Sequence, residues 1–333
     1  MPKIHKPRRG SLRYSPRCRA RSHIPRIKSW PESAGKTLPG FAGYKVGVTH
    51  ILVTENRKTS PLLGQERSEL ATIIEAPPLV VVGFRTYLRE VGRGLKAAGE
   101  VWSGKVPKGI RGHETKTTNA AETKKPESID AAKIESVRLI LATQPHLAGF
   151  GKKKPDVIEM PAPGKDSSEK IKNAEGLLGS EIKLSDVITA GDYMDVFSIS
   201  KGKGFQGPVK KWGVKLQSRK TKNAQRRPGN IGGWTPKITQ WYTPMGGQMG
   251  YQQRGEFNKR VYSIGSGGIE HSGGWKNYGL VRGDYIILGG SVAGPSTRLI
   301  KLRFAMRTKN NEKNEIPEIT YIHEVNSSSS NKV

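Results

Sequence analysis

The sequence predicts a mainly β protein that is interrupted by a long basic insertion, and three observations carry this prediction. Short apolar and β-branched runs bounded by Gly and Pro recur between residues 39 and 307, as strands do. One segment, residues 166–179, combines a Ser-Ser-Glu start with a closing Gly, as a short helix does. Residues 196–255 contain twelve Lys and Arg but no Asp or Glu, so a block of different composition divides the strand-forming text.

The strands are assigned in chain order from these runs. Residues 80–84 form a near-continuous apolar run, which is typical of a strand buried on both faces. Residues 94–104 fit neither a helix nor a strand clearly. Strands are predicted at residues 39–54, at two places within 69–89 that are separated by Pro77 and Pro78, and at residues 133–145, 191–200, 259–265, 279–290 and 297–307. The acid-free block is therefore an insertion into a β domain whose two halves close across it.

The charge of the chain restricts its partners. A formal charge of +29 on 333 residues would repel itself unless an anion neutralised it, and nucleic acid and anionic membranes are the usual candidates. The longest apolar run, residues 76–84, is far shorter than the ~20 residues that span a bilayer. No secretory signal is expected at the basic amino terminus. The single cysteine, Cys18, permits no intrachain disulfide, which fits a reducing cytosol.

Residues 1–31 form a second acid-free stretch, with ten Lys and Arg. Prolines at positions 7, 16 and 25 oppose a long helix, so an extended basic arm is predicted. Regularly placed apolar residues indicate that the arm docks against something, and the alternative is a solvated, disordered tail. These apolar residues are Leu12, Tyr14, Ile24, Ile27 and Trp30.

Several motifs suggest chemistry that the surrounding residues do not support. Residues 202–207, "GKGFQG", fit a dinucleotide-binding pattern, but Pro208 follows at once and no acid for a ribose appears before Glu256. Glycines among lysines suit close approach to phosphates instead. Residues 246–248, Gly-Gly-Gln, are similar to the catalytic tip of class I peptide-release factors, with a tight turn as the alternative. None of the seven histidines has metal-ligand spacing to Cys or another His, so no metal site is predicted.

The aromatic residues of the block lie among Lys, Arg and Gly rather than among aliphatic residues. Such rings suit base stacking and cation–π contacts, worth about 1–3 kcal/mol per stacked base. The alternative is a local core for a small subdomain. The rings are Phe205, Trp212, Trp234, Trp241, Tyr242 and Tyr251.

Five separated segments resemble one known family in the same order: "FAGYKVGVTH", "APPLVVVGFRTY", "DVFSISKGKGFQGPVKKWGVK", "RRPGNIGGWTP" and "MGGQMGYQQR". Together they are similar to ribosomal protein L3 of the large subunit, and the arm "HKPRRGSLRYSPRCRARSHIPRIKSWP" resembles its archaeal and eukaryotic branch. The resemblance runs from about residue 3 to residue 305. The loop at 105–128 and the Ser-rich tail are not matched.

The resemblance implies a translation-protein-type β-barrel with an inserted α/β region and long basic RNA-binding extensions. The divisions would be an arm at 1–38, barrel segments at 39–80, 186–200 and 256–308, the inserted region at 81–185, a central loop at 201–255 and a tail at 309–333. The loop would approach the peptidyl-transferase region of the large-subunit RNA, with Trp234 at its tip. The family implies structural and assembly roles rather than catalysis.

The predicted partners are 23S-type large-subunit rRNA and other large-subunit ribosomal proteins, in the cytoplasm, with no membrane, cofactor, metal or homo-oligomer. Residues 1–35 and about 205–255 are expected to be disordered until RNA binds. An RNA- or peptide-directed enzyme and a general RNA chaperone are the competing functions. The predicted RNA-binding residues are Arg8, Arg9, Arg13, Arg17, Arg19, Arg21, Lys201, Lys203, Phe205, Lys210, Lys211, Trp212, Arg219, Lys220, Lys222, Arg226, Arg227, Gly232, Gly233, Trp234, Lys237, Trp241, Gln248, Tyr251 and Arg254.

Overall fold

The computed structural model describes residues 10–31, 37–56, 60–104, 106–107, 110, 134–269, 271, 273–307 and 318–323. The chain divides into two compact units. We call residues 24–198 and 255–333 the β unit, and residues 1–23 and 199–254 the basic unit. Arg8, Arg9 and the Ser-rich tail lie outside the described residues, as does most of the loop at 105–128.

The described residues form mainly β structure, as the sequence predicts. The strands are β1 (Gly40–Thr54), β2 (Glu66–Glu75), β3 (Leu79–Glu90), β4 (Gly94–Trp102), β5 (Ile134–Thr143), β6 (Val157–Pro161), β7 (Glu181–Ile182), β8 (Tyr193–Ile199), β9 (Gly202–Gln206), β10 (Gly247–Gly250), β11 (Gln253–Gly265), β12 (Tyr285–Gly289), β13 (Leu299–Phe304) and β14 (Glu318–Ile322). The helices are α1 (Ser167–Gly176) and α2 (Pro208–Trp212), with a 3-10 turn at Pro145–Leu147.

The largest sheet has the strand order β13-β8-β11-β12-β2-β1-β14, and β13 also pairs with β1. Six of its strands therefore close into a ring, and β14 adds to β1 outside it. The first residues of β1 pair with β13, from Gly40 opposite Arg303 to Tyr44 opposite Leu299, and the strand then continues along β2. Gly43 lies at this change of partner, where a Cβ would come within 2.7 Å of the Glu75 carbonyl oxygen.

A second sheet has the order β4-β3-β5-β6, with β7 also paired to β3. The apolar run of β3 is buried on both faces, as predicted from the sequence. Val81 and Leu79 join the main core, whereas Val80 and Val82 pack with Ile140 in a separate cluster. Alternate residues of a strand point to opposite faces, so this single run covers two cores. The break between β2 and β3 falls at the two prolines.

Three sequence expectations change with the structure. Residues 94–104, which were ambiguous, contain β4, paired along β3 from Trp102 to Gly94. Residues 318–322, within the range predicted as a tail, form β14, which pairs antiparallel with β1 from Ile51 to Thr54. Pro208 follows the "GKGFQG" stretch but begins α2 instead of excluding a helix. Proline suits this position because the first helical N–H has no partner within the helix.

A buried carboxylate, that of Glu75 at the end of β2, organises one end of the β unit. Its Oε1 accepts hydrogen bonds from the backbone N–H groups of Arg282 and Gly283, each at 2.9 Å. Its Oε2 accepts the Gly149 N–H at 3.1 Å and the Tyr278 hydroxyl. Four donors, one from Gly149 and three from residues 278–283, therefore converge on one side chain that is fully shielded from solvent. Burial and the Glu75 charge raise the pKa of Tyr278 far above its usual value, so this hydroxyl remains a donor.

The Glu75→Gln substitution should lower the free energy of unfolding by about 2–4 kcal/mol, because an amide is neutral and its nitrogen cannot accept an N–H bond. Urea unfolding followed by circular dichroism measures the change. The matched control is Glu66→Gln at the exposed start of the same strand, which should leave the midpoint unchanged. Equal midpoints for the two variants would contradict the role given to Glu75.

Candidate nucleic-acid interface

The basic unit contains every part of the predicted interface and no acidic residue. Twenty of the chain's 57 Lys and Arg residues lie in its two segments, and all 28 Asp and Glu residues lie in the β unit. Cations in the basic unit therefore have no carboxylate within that unit to pair with. The chain enters it at the end of β8 and leaves it at the start of β11, two strands that are neighbours in the closed sheet.

The strands that flank this insertion are held by a buried ion pair in the β unit. Arg303 of β13 donates to the carboxylate of Asp195 in β8, and both side chains are almost fully buried. The second oxygen of Asp195 accepts the Asn258 N–H of β11 at 3.0 Å. Arg303 also donates to the carbonyl oxygen of Ser29 at 2.7 Å. This bond fixes the last part of the predicted arm, which belongs to the β unit. A paired, hydrogen-bonded charge of this kind fixes the positions of the strands that carry it, since removing one partner would leave the other charge buried and unpaired.

A two-stranded ribbon forms the base of the loop. Antiparallel pairing joins β9 to β10, with Gly247 opposite Gln206 and Gly250 opposite Gly202. Gly250 has a φ of +70°, and a Cβ there would lie 2.0 Å from the Lys201 carbonyl oxygen, so both conformation and space require glycine. The amide of Gln248 donates to the carbonyl oxygens of Met249 and Gly250, at 3.3 and 3.1 Å. The Gly-Gly-Gln stretch thus leads into strand β10 rather than forming the tight turn considered above, and its amide side chain bonds its own backbone.

Trp212 is buried, which corrects its assignment as a ring open to base stacking. Only 8% of its surface is exposed, and its indole Nε1 donates to the Met245 carbonyl oxygen at 2.7 Å. Gly10 of the arm is so close that a Cβ there would lie 2.4 Å from the ring. The Arg17 guanidinium covers the ring, with Cζ 4.4 Å from the ring centroid. Trp212 is therefore a small core on which arm and loop meet, and this part of the block has packing of its own.

Tyr251 makes a second junction between arm and loop. Its carbonyl oxygen accepts the Ala20 N–H at 2.8 Å, and its hydroxyl is hydrogen-bonded to His23 Nδ1, also at 2.8 Å. The guanidinium of Arg19 lies 5.3 Å from the ring centroid. Sequence reasoning selected Tyr251 and Arg19 separately as RNA-binding residues. Their contact joins positions more than 200 residues apart, and no local pattern announces it.

Three rings of the basic unit remain largely open to solvent. Phe205, Trp234 and Trp241 expose 79%, 81% and 71% of their surfaces. Lys237 lies near Trp234, with Nζ 5.1 Å from the ring centroid, so a cation and an exposed aromatic face are adjacent. Around Gly232, a Cβ would meet no atom within 4 Å. Nothing in the described part of the basic unit crowds this glycine.

The predicted cationic residues divide by exposure. Three of them are half-buried: Arg17 and Lys211 beside Trp212, and Arg254, whose Cζ lies 4.4 Å from the Tyr14 ring centroid. Burial, and then the Arg17 charge, lower the pKa of Lys211. The exposed ones are Arg13, Arg19, Arg21, Lys201, Lys203, Lys210, Arg219, Lys220, Lys222, Arg226, Arg227 and Lys237. Gly233 is also exposed, and Gln248 is half-buried.

Two features do not occur among the described residues, a metal-ligand cluster and a membrane-spanning helix. Within those ranges, no group of three or more His, Cys, Asp or Glu side chains is arranged to hold a metal ion. Over the same ranges, no helix is both long enough and apolar enough to cross a bilayer.

A closed β sheet that carries an acid-free, ring-bearing unit is an organisation typical of polyanion-binding proteins. The comparisons with known proteins are more specific. The protein-family model described as "Ribosomal protein L3" matches residues 1–329, and the chain belongs to this family. This assignment confirms the resemblance inferred from the sequence, and it agrees with the expectation of a protein that is not an enzyme.

Three archaeal relatives match the chain over nearly their whole length. The chain is 43% identical over 326 residues to a protein of Methanococcus vannielii, covering 96% of this chain and 97% of the relative. It is 44% identical to one of Methanopyrus kandleri, covering 95% and 90%, and 43% identical to one of Methanothrix harundinacea, covering 97% and 98%. Each relative is named large ribosomal subunit protein uL3.

The Trp212→Ala substitution should loosen the basic unit without unfolding the β unit. Loss of a buried Trp removes enough packing that local opening, and hence tryptic cleavage of the loop, should rise at least about tenfold. Initial cleavage rates, with sites read by mass spectrometry, measure this. In the control Trp234→Ala, the cleavage rate should not change, because that ring is mostly exposed. A Trp212→Ala chain as resistant as the wild type would show that the loop needs no core of its own.

Proposed function

We propose that this chain is a structural component of the large ribosomal subunit in the cytoplasm and that its basic unit binds 23S-type large-subunit rRNA. The observation that carries the proposal is the charge partition, which places twenty cations and no acid in a unit with three open rings. Phosphates supply the missing negative charge, and unpaired bases can stack on the rings. The names of the relatives support the same assignment.

The partners that follow from this function are the rRNA and neighbouring large-subunit proteins, with one copy of the chain in each particle. Binding would contribute to assembly of the subunit, because RNA neutralises the cations that otherwise repel one another within the basic unit. Two other functions are less well supported. An enzyme would need acid–base groups near Gln248, and that side chain donates to the backbone of its own strand, β10. A general RNA chaperone would not need a fixed, ring-shaped β unit.

Chemical footprinting on purified large-subunit rRNA tests the main proposal. One discrete footprint is expected, with an affinity that falls steeply with salt. If roughly half of the twenty cations contact phosphates, the slope of log affinity against log salt is roughly −7 to −9. The double variant Arg226→Gln, Arg227→Gln should reduce the magnitude of this slope by about 1.4–1.8.

The matched control makes the same charge change in the β unit. Lys165→Gln with Lys172→Gln removes two exposed cations at and before α1, and the slope should stay as in the wild type. A diffuse footprint would favour a chaperone, and hydrolysis of RNA or peptidyl-tRNA would favour an enzyme. Equal slope changes in the two double variants would contradict binding through the basic unit.

We further propose that the loop segment around Trp234 approaches the peptidyl-transferase region. Support comes from the family resemblance and from the exposure of this ring, which serves no packing within the described chain. Trp234→Ala should therefore slow peptidyl transfer or factor-dependent steps in reconstituted subunits, while the unfolding midpoint of the free protein stays within error. Loss of stability and assembly with unchanged peptidyl transfer would contradict this placement.

A further inference from the structure

The basic unit contains a cavity between arm and loop, and the overall positive charge of the unit does not explain this cavity. Its volume is about 530 Å³, within the range of about 300–1,000 Å³ that is usual for sites of small ligands. The arm contributes Pro16 and Arg17 to the walls, and the loop contributes Lys211, Trp212, Trp241 and Met245. The cavity therefore exists only where the two segments meet.

One wall of this cavity presents an aromatic face. Trp241 lines it while 71% of the ring surface stays exposed, so a second planar group could cover that ring. Tyr242 contacts Trp241 edge-on, with centroids 6.0 Å apart and planes at 84°, which braces the indole without stacking over it. Trp212 also lines the cavity, and its hydrogen bond to the Met245 carbonyl oxygen holds it in place.

The opposite feature of the cavity is uncompensated positive charge. The Arg17 Cζ and the Lys211 Nζ lie 4.4 and 5.4 Å from the centroid of the same Trp212 ring. No acidic residue lines the cavity or occurs in the sequence of the basic unit. Arg17 and Lys211 repel each other, and burial and then this repulsion lower the pKa of Lys211. An anion placed between them would relieve the repulsion.

An aromatic face beside a pair of cations matches the two parts of a nucleotide. We propose that the cavity binds one unstacked nucleotide of the RNA, with its base against Trp241 and its phosphate between Arg17 and Lys211. This inference rests on the proposed function and adds a defined subsite to it. Base stacking on a ring is tolerant of sequence, so the subsite selects an extruded base rather than a particular letter. A free mononucleotide shares this chemistry, and the experiment must separate the two sources.

The experiment uses the full-length chain and two labelled pentaribonucleotides, one with a single central adenine among abasic sugars and one wholly abasic. Both carry the same phosphates, so the ratio of their dissociation constants reports the base alone. Fluorescence anisotropy at one fixed salt concentration gives the ratio, expected between about fivefold and about 100-fold for one stacked base. A ratio near one in the wild-type chain would overturn the proposal.

Variants then locate the base. Trp241→Ala should bring the ratio close to one and leave the affinity for the abasic strand unchanged, whereas Trp241→Phe should restore part of it. Arg17→Gln and Lys211→Gln should weaken both strands by the same factor. The matched control Phe257→Ala removes an exposed ring of the β unit and should keep the wild-type ratio. If Trp241→Ala keeps the ratio, or if Phe257→Ala lowers it as much, the cavity is not the subsite.

Two further measurements complete the test. Circular dichroism and the unfolding midpoint should be unchanged in Trp241→Ala, because the ring is mostly exposed. Adenosine monophosphate should displace the pentanucleotide only at far higher concentration than the unlabelled strand, and displacement at a comparable concentration would indicate a free-nucleotide site instead. If the rRNA footprint persists while the base ratio is one, only the cavity assignment fails. If the footprint is absent, the proposed function itself fails.

Discussion

The constraint on which the rest of this molecule depends is the separation of its charges. All 28 acidic residues belong to the β unit, where they meet 37 of the Lys and Arg residues, while the basic unit holds twenty cations and no acid. At physiological ionic strength, charges are screened over about 8 Å, so neighbouring cations within the basic unit still repel one another. Its folded arrangement is therefore favoured by whatever anion surrounds it, and the packing that the structure describes within it centres on Trp212 and Tyr251.

The β unit has a different role, which is to hold the two ends of the insertion in the neighbouring strands β8 and β11. In its closed sheet each of the six strands pairs with a neighbour on both sides, and β14 adds to the part of β1 that follows its pairing with β13. Glu75 gathers four donors at one end of this sheet, and the Asp195–Arg303 pair ties β8 to β13 next to the insertion. Buried charges of this type are costly unless fully bonded, and here each carboxylate accepts from several donors. These bonds fix the strands at which the insertion begins and ends.

Local sequence patterns predicted the parts of this structure that depend on local chemistry. Three predictions that depend on only a few neighbouring residues were confirmed. They are the buried strand at residues 80–84, the break at the two prolines before it, and the Ser-Ser-Glu start of α1. The misses depend on distant partners. The short segment "EITYI" becomes β14 only because β1 offers an edge, and Trp212 becomes a core residue only because Gly10 and Arg17 reach it from the arm. Composition favoured RNA binding by all rings alike, since it cannot distinguish a ring that contacts its own chain from one left open.

The bond between Tyr251 and His23 spans 228 positions of the chain. A polypeptide grows from its amino terminus at about 5–20 residues per second, so the arm emerges roughly 10–50 s before Tyr251 has been made. Throughout that interval the arm's arginines are present without the surface against which they finally lie. The order of synthesis thus gives anions in the cell the first opportunity to bind this arm. The loop must later displace them in order to make its own contacts with the arm.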